Sequence, residues 1–135
     1  MGMILRSSLA FGAGAVCLSE NSVDPFNTKV IRASVGAIFG IPVLEIDNFE
    51  SFYKQVKKYD YRIIGTKAEA KKALGELKSD LPAVFLFGNE GRGLSKKMID
   101  LSDETVKIPH SGKVESLNLG VAVSLILWEL YEYNG

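Results

Sequence analysis

The chain has 135 residues, of which 47% are hydrophobic and 24% are charged. This length and composition predict a single folded domain over residues 1–135, with its own apolar core, and they exclude an intrinsically disordered chain. The 16 basic and 16 acidic residues leave no net charge, so a polyanion must bind a local patch, because no field of the whole molecule attracts it.

The apolar segments and the cysteine content narrow the class of protein further. The most apolar stretch, residues 117–133, is interrupted by polar and charged side chains and falls short of the roughly 20 apolar residues that a bilayer requires. No secretion signal is visible at the N-terminus. Cys17, the only cysteine, lies in an apolar run that predicts a small buried side chain. We therefore expect a cytoplasmic protein that makes no contact with a membrane.

Short apolar runs rich in β-branched and aromatic residues alternate with longer segments of helical period. This alternation predicts an α/β fold with a mainly parallel sheet flanked by helices. In chain order we expect helices over residues 2–12, 28–39, 48–57, 67–77, 95–101 and 117–133, and strands over residues 15–18, 43–46, 61–65, 83–87 and 105–108.

Polar residues indicate where several helices begin. Three side chains can each accept a hydrogen bond from a free N–H group in the first turn of the helix that follows them: Asn27, Asn48 and Ser95. Nothing precedes the first helix to cap its N–H groups, and the free ammonium of Met1 opposes the helix dipole. A helix in a βαβ protein usually follows a strand, so we expect the chain to begin inside its first βα unit.

The first candidate site is the glycine-rich segment LFGNEGRGLS, residues 86–95, which follows an apolar strand. Ligands of parallel sheets bind beyond the carboxyl ends of the strands. Gly88, Gly91 and Gly93 permit close approach of a ligand to the backbone, and Glu90 can accept hydrogen bonds from a hydroxyl or amine. A tight turn without a ligand explains the same glycines. The spacing GxxGxG matches neither a P-loop nor GxGxxG, which disfavours nucleoside triphosphates and NAD.

The second candidate site lies where the last strand leads into a polar loop and the long apolar helix. Ser116 can cap this helix, and Asn118 in its first turn carries an amide that donates and accepts hydrogen bonds. Such groups suit an adenine, a ribose or a carboxylate, while simple capping is the alternative for Ser116. His110 is the only histidine and has no evident partner, so we expect neither a metal site nor a catalytic triad.

The third candidate is Arg6, which lies in the otherwise apolar helical segment MILRSSLAFGAG. A guanidinium binds phosphate through a planar fork of donors, and an ordinary surface arginine is the alternative. The lysines of residues 54–58 and 67–72 are interleaved with acids and indicate solvated helix faces, which is weak support for RNA.

These three segments, in this order and at these distances, resemble motifs 1, 2 and 3 of the SpoU branch of the SPOUT-class RNA methyltransferases. The resemblance rests on RSSLAFGAGAVCL, on VFLFGNEGRGLS as an FGxExxG loop, and on IPHSGKVESLNLGVAVSLILWEL as an IP…SLNxxxA helix. It implies a C-terminal trefoil knot, S-adenosylmethionine as cofactor, and a homodimer that buries the last helix. It also implies methyl transfer to a ribose 2′-hydroxyl of tRNA or rRNA.

The resemblance also assigns roles to residues. Arg6 is implied to be the catalytic arginine, and Glu90 and Asn118 are the other candidates for a catalytic role. A guanidinium is a poor base in water, so Arg6 either receives help from an RNA phosphate or a partner subunit or serves as an electrostatic anchor. The implied cofactor-binding residues are Gly88, Asn89, Glu90, Gly91, Ile108, Pro109, Ser116, Leu117 and Asn118.

The chain departs from the family at its beginning. MGMILR supplies only the glycine and arginine of the family motif NxGxxxR, so we expect the first strand and the motif asparagine before Met1. We therefore expect these 135 residues to have low or no methyltransferase activity. The second hypothesis is a non-catalytic dimeric module that binds S-adenosylmethionine or RNA. The last helix is apolar nearly all round, which independently predicts a homodimer that covers it.

Overall fold

The computed structural model describes residues 1–77 and 82–134. The chain forms two compact units, Met1–Phe49 with Gly120–Gly135, and Glu50–Leu119. In chain order the elements are α1 (Gly2–Ala10), β1 (Val16–Ser19), α2 (Thr28–Ser34), a first 3₁₀ helix (Ala37–Phe39), β2 (Val43–Ile46), α3 (Phe49–Lys58), β3 (Arg62–Thr66), β4 (Lys72–Ala73), a second 3₁₀ helix (Leu74–Glu76), β5 (Ala83–Leu86), α4 (Lys96–Leu101), β6 (Glu104–Lys107) and α5 (Leu119–Asn134).

The expected α/β fold with parallel strands and flanking helices is confirmed, because every named strand pair is parallel. None of the helices in residues 1–77 and 82–134 has the length and apolarity needed to cross a bilayer. The trefoil knot and the assignment of the whole chain to one domain stay predictions.

The first unit contains the two-stranded sheet β1–β2, in which Val16 is paired with Val43. Its core forms where α1 and α2 meet the first 3₁₀ helix, and it consists of Leu5, Val30, Ala37, Ile38 and Ile41. The predicted cap of α2 is confirmed, because Asn27 Oδ1 accepts a hydrogen bond of 2.9 Å from the N–H of Lys29.

α5 packs against α1 in this unit through small and aromatic side chains. The hydroxyls of Ser7 and Ser124 lie 2.6 Å apart, and the rings of Phe11 and Tyr131 are 5.9 Å apart between centroids. The short side chains of the two serines permit a close approach of the helices at this point. Close packing therefore explains why Ser124 interrupts the apolar pattern of α5.

The second unit contains a sheet of order β4-β6-β3-β5. β3 lies between two strands, and its consecutive residues Ile63, Ile64 and Gly65 are all buried. Burial of neighbouring residues on opposite faces is typical of a central strand in a parallel sheet covered on both sides. Ser95 caps α4 as predicted, with its Oγ accepting from the N–H of Met98 at 3.2 Å.

Two expected helices differ from the structure. The helix expected over residues 67–77 is wrong, because Lys72 and Ala73 form β4 and pair with Val106 and Lys107 of β6. Pairing with a distant strand overrides the local helical period there. The helix expected over residues 28–39 ends at Ser34, because Val35 adopts a left-handed conformation with a φ of 52°.

The expectation that Cys17 is buried is also wrong, since this cysteine is exposed. Alternation along β1 explains the difference: Leu18 occupies the buried face at 7% exposure, and Cys17 therefore points to the opposite face. An apolar run in a strand predicts burial on both faces only when both faces are covered.

Candidate functional site

The loop that follows β5 is closed by hydrogen bonds of Asn89. The side-chain Oδ1 of Asn89 accepts from the N–H groups of Gly91 at 3.1 Å and Arg92 at 2.7 Å. The backbone oxygen of Asn89 accepts from the N–H of Gly93 at 2.9 Å. These bonds give the loop a defined conformation.

Gly88 is required by the packing of this loop on itself, and Gly93 by its left-handed backbone conformation. A Cβ at Gly88 would lie 1.9 Å from the backbone carbon of Gly93, and Gly93 has a φ of +64°. A side chain at Gly88 is therefore excluded by the loop's own backbone. Of the two interpretations of these glycines, the tight turn accounts for Gly88 and Gly93, whereas the site around Gly91 has space for an added Cβ.

Glu90 connects this loop to the segment that follows β6. Its Oε1 accepts hydrogen bonds from Asn118 Nδ2 at 3.1 Å and from the N–H of Leu119 at 3.3 Å. Leu119 is the first residue of α5, so the carboxylate satisfies a free N–H group of the helix and places negative charge at its N-terminus. Two segments that were separate candidates in the sequence thus meet at one carboxylate.

This contact corrects the prediction for the start of the last helix. α5 begins at Leu119, two residues later than expected, and Asn118 precedes the helix instead of lying in its first turn. Ser116 is exposed and lies three residues before the start of α5, so the prediction that it caps the helix is wrong. Glu90, from a different loop, contributes the acceptor.

Thr66, at the carboxyl end of β3, is a site residue that the sequence analysis missed. Its hydroxyl donates a hydrogen bond of 2.8 Å to the backbone oxygen of Leu86, the last residue of β5. β3 lies between β5 and β6 in the sheet, so Thr66 fixes the end of one strand that leads into the site. A threonine at the end of the apolar run IIGT was the available signal.

The segment after β6 supplies both apolar and polar surface. Ile108 and Leu117 are half-buried, whereas Pro109 and Asn118 are exposed. His110 folds back on this segment, with its Nδ1 3.0 Å from the carbonyl oxygen of Ile108. Half-buried apolar side chains beside an amide and a carboxylate suit a ligand with an aromatic base and uncharged polar groups.

Arg6 belongs to the first unit and lies on the exposed side of α1, next to the fully buried Leu5. Its guanidinium makes no hydrogen bond or ion pair within the ranges 1–77 and 82–134. An accessible cation without an internal partner is compatible with a phosphate ligand, and its catalytic role stays a prediction.

The amino ends of the strands in the second unit carry ion pairs. Asp103 binds Lys57 Nζ at 2.8 Å and accepts from the N–H of Ile63 at 2.7 Å. Glu104 binds Arg62 with one carboxylate oxygen and Lys72 Nζ with the other, the latter at 2.7 Å. Partial burial raises the pKa of Asp103, but the hydrogen bonds from Lys57 and Ile63 outweigh it and hold the pKa below its ordinary value.

The carboxyl ends of the same strands carry cations of a different kind. Four basic residues end a strand or follow one on this side: Lys67, Arg92, Lys107 and Lys113. None of them forms an ion pair in the described part of the chain. Lys97 of α4 is bound to Glu50 at 2.5 Å, in a pair whose side chains are 58% and 60% exposed.

Comparison with known proteins places this geometry in a family. The model of the SpoU rRNA Methylase family matches residues 1–128. An uncharacterized tRNA/rRNA methyltransferase of Synechocystis is 33% identical over 129 residues, which cover 96% of this chain and 47% of that protein. The chain thus spans about half the length of the curated relatives it matches.

Solved structures agree with this match. The SpoU methyltransferase AviRb from Streptomyces viridochromogenes, crystallised with AdoMet, has a TM-score of 0.92 and 28% identity over 98% of this chain and 55% of that chain. An RNA 2′-O ribose methyltransferase has a TM-score of 0.88 at 28% identity, over 98% of this chain and 51% of that one. The expectation of S-adenosylmethionine as cofactor is confirmed for the family. The chain belongs to the SpoU rRNA methylase family.

Proposed function

We propose that this chain is the S-adenosylmethionine-binding catalytic region of an RNA methyltransferase that modifies a ribose 2′-hydroxyl of tRNA or rRNA. The observation that carries the proposal is the pair of hydrogen bonds that Glu90 accepts from Asn118 and Leu119, which joins the two motif segments. A family match to RNA methyltransferases and the likeness to a ribose 2′-O enzyme support the reaction class.

The residues present fit the cofactor by the chemistry of their donor and acceptor groups. Ile108 and Leu117 offer half-buried apolar surface for an adenine, and the amide of exposed Asn118 suits the ribose or the amino-acid end. Glu90 keeps a second carboxylate oxygen as an acceptor. The residues that would hold the cofactor are Gly88, Asn89, Glu90, Gly91, Ile108, Pro109, Ser116, Leu117 and Asn118. When bound, S-adenosylmethionine supplies an electrophilic methyl group.

In this proposal Arg6 acts on the RNA. Methylation would give the ribose oxygen the methyl group as the methyl–sulfur bond breaks, and the cofactor would leave as a neutral thioether. The hydroxyl loses its proton in this exchange, so the site must orient the hydroxyl and accept that proton. The guanidinium of Arg6 is exposed and can bind the neighbouring phosphate through two parallel hydrogen bonds. As an anchor it lowers KM and positions the ribose, whereas as a base it takes the hydroxyl proton and acts on kcat.

Cofactor binding and methyl transfer test the proposal separately. Titration calorimetry of the 135-residue chain should show S-adenosylmethionine binding that Asn118→Ala weakens. With a tritiated methyl group, we expect slow labelling of unfractionated tRNA or rRNA at alkali-resistant 2′-O-methylated positions, and Arg6→Ala should abolish it without changing cofactor affinity. Absence of cofactor binding, or label found on the bases, contradicts the proposal. Binding without any transfer supports the non-catalytic module instead.

We also propose a homodimer in which a second copy covers α5. Val123 and Ile126 of this helix are buried at 4% and 0% exposure, whereas Leu125 and Trp128 are 40% and 48% exposed. Exposed Tyr131 extends the same apolar stripe. A contiguous apolar surface of this kind is usually an interface, and two-fold dimers are the commonest arrangement.

The dimer is tested through its exposed positions. Leu125→Asp should dissociate the dimer, because it places an unpaired charge in the apolar stripe, and sedimentation equilibrium of the unaltered chain should give twice 14.7 kDa. Glu129→Gln, at a half-buried polar position of the same helix, is the control. A folded monomer of the unaltered chain at micromolar concentration contradicts the proposal.

A further inference from the structure

The basic residues of the second unit differ in whether the fold already neutralises them. At the amino ends of the strands, Lys57, Arg62 and Lys72 are each bound to a carboxylate. At the carboxyl ends, Arg92 and Lys113 form no ion pair with any described residue. A charge left without an internal partner on the side where ligands bind is available for an external anion.

Arg92 is the best placed of these cations, because its backbone is fixed. Its own N–H donates to Asn89 Oδ1 at 2.7 Å, and the next residue, Gly93, closes the loop through its bond to the Asn89 backbone. The side chain itself is exposed. A cation on a preformed loop loses less conformational entropy on binding than one on a free segment.

The acidic neighbour of Arg92 is directed elsewhere. Glu90 lies two residues away along the chain, but its carboxylate is bound to Asn118 and Leu119 and forms no ion pair with Arg92. Lys113, in contrast, shares its loop with exposed Glu115. The same arrangement that holds Glu90 at the start of α5 therefore leaves the guanidinium of Arg92 without an ion pair among residues 1–77 and 82–134.

We propose that Arg92 binds a backbone phosphate of the RNA substrate and so positions the RNA against the cofactor-binding loop. This inference rests on the proposed function, since it requires that the carboxyl edge of the sheet receive RNA. A phosphodiester fits the planar fork of an arginine, which donates two parallel hydrogen bonds to it. Arg92 is thus a positioning residue for the acceptor and takes no part in bond making.

The test compares two arginine variants with a matched lysine control. Arg92→Ala removes an uncompensated cation, whereas Lys97→Ala removes one that Glu50 already pairs. Binding of fluorescently labelled, unfractionated tRNA is measured by anisotropy between roughly 50 and 300 mM KCl, a range over which phosphate contacts change affinity strongly. Calorimetry with S-adenosylmethionine is run on the same samples.

We expect Arg92→Ala to weaken tRNA binding about tenfold, as for the loss of a charge-assisted pair, and to reduce the slope of log K against log salt by about one. Lys97→Ala should change neither quantity, and Arg92→Lys should restore the slope but only part of the affinity, because it keeps the charge without the fork.

Three outcomes overturn the inference. If the slope of log K against log salt is the same for Arg92→Ala and the unaltered chain, Arg92 does not contact a phosphate. A loss of S-adenosylmethionine affinity in Arg92→Ala assigns the guanidinium to the cofactor carboxylate instead. If the unaltered chain binds the cofactor but does not bind tRNA, the role of Arg92 is refuted and the cofactor site stands. If the unaltered chain does not bind the cofactor, the proposed function itself is refuted.

Discussion

The two ends of the parallel strands in the second unit are built from different interactions. At the amino ends, two acidic residues, Asp103 and Glu104, bind three cations and a buried backbone N–H. At the carboxyl ends, loop backbone and the carboxylate of Glu90 hold two segments together, and Arg92 and Lys113 form no ion pair with any residue that the structure describes. The first arrangement satisfies charge internally, and the second leaves charge and polar groups for an external ligand.

We therefore expect the amino ends of the strands to contribute to stability and the carboxyl ends to contribute to ligand binding. Interactions at the amino ends tie β6 to β3 and to α3, so their loss should reduce the free energy of unfolding without reaching the ligand. Interactions at the carboxyl ends orient groups such as Asn118, so their loss should change ligand affinity. Substitutions at the two ends should therefore have distinguishable effects.

The largest effect is expected for Gly88→Ala, at the carboxyl end. The new Cβ would lie 1.9 Å from the Gly93 backbone, so the loop must move, at a cost of about 3 kcal/mol in the free energy of unfolding. Cofactor binding should be lost with it. Denaturant unfolding and calorimetry measure the two effects.

Gly91→Ala is the matched control in the same loop. A Cβ there would meet only Asn89 Oδ1, at 3.8 Å, so its effect on stability should stay within about 0.5 kcal/mol. If both glycine variants are equally stable, the packing of the loop on itself does not determine its conformation.

Asp103→Ala should produce the next largest effect, and only on stability. The substitution leaves the N–H of fully buried Ile63 without its acceptor, which costs about 2 kcal/mol. Asp103→Asn keeps an acceptor oxygen and should cost less. A loss of cofactor affinity in either variant, measured on folded protein, would show that the two ends of the sheet are not independent.

The stability due to Asp103 should also depend on pH. Because the folded state holds the pKa of Asp103 below its ordinary value of 3.8, the contribution is fully present above that value and is lost as the pH falls through the lower folded pKa. The unfolding free energy of Asp103→Asn should lack this part of the acid dependence. Identical acid profiles for the two proteins would contradict the assignment.

Glu90→Ala should affect both stability and binding. It removes the acceptor at the start of α5, which costs about 1 kcal/mol, and it removes the hydrogen bond that Glu90 accepts from Asn118, so cofactor affinity should fall about tenfold. Glu90→Gln keeps an acceptor oxygen for the N–H of Leu119 and should retain most of the stability. Equal losses in both variants would indicate that the negative charge of Glu90, and not its position as an acceptor, is what matters.

The sequence was sufficient to predict those features of the fold that depend on local pattern. The strand Val43–Ile46 and the start of α2 at Thr28 agree with the structure, because apolar alternation and the amide of Asn27 act over a few residues. The family motifs likewise identified the two loops that Glu90 joins.

The features that sequence did not predict depend on distant partners. β4 forms because Lys72 pairs with Val106 and binds Glu104, which no local helical period reveals. α5 begins at Leu119 because a carboxylate 29 positions earlier in the chain accepts its N–H. Residue type restricts such contacts, but only the topology of the sheet brings the partners together.

A smaller effect on cofactor binding than that of Glu90→Ala is expected for Thr66→Val, which replaces the hydroxyl by a methyl group of similar size. The backbone oxygen of Leu86 then loses the hydrogen bond of 2.8 Å that Thr66 donates, and we expect a loss of about 1 kcal/mol in the unfolding free energy. Cofactor affinity should fall by only about threefold, because the contacts of Glu90 remain. Thr66→Ser keeps the hydroxyl and should restore the affinity even where the missing methyl group lowers stability. Calorimetry on the two variants therefore separates the hydrogen bond from side-chain packing: if Thr66→Ser binds the cofactor no better than Thr66→Val, the alignment of the β5 end by Thr66 has no part in the site.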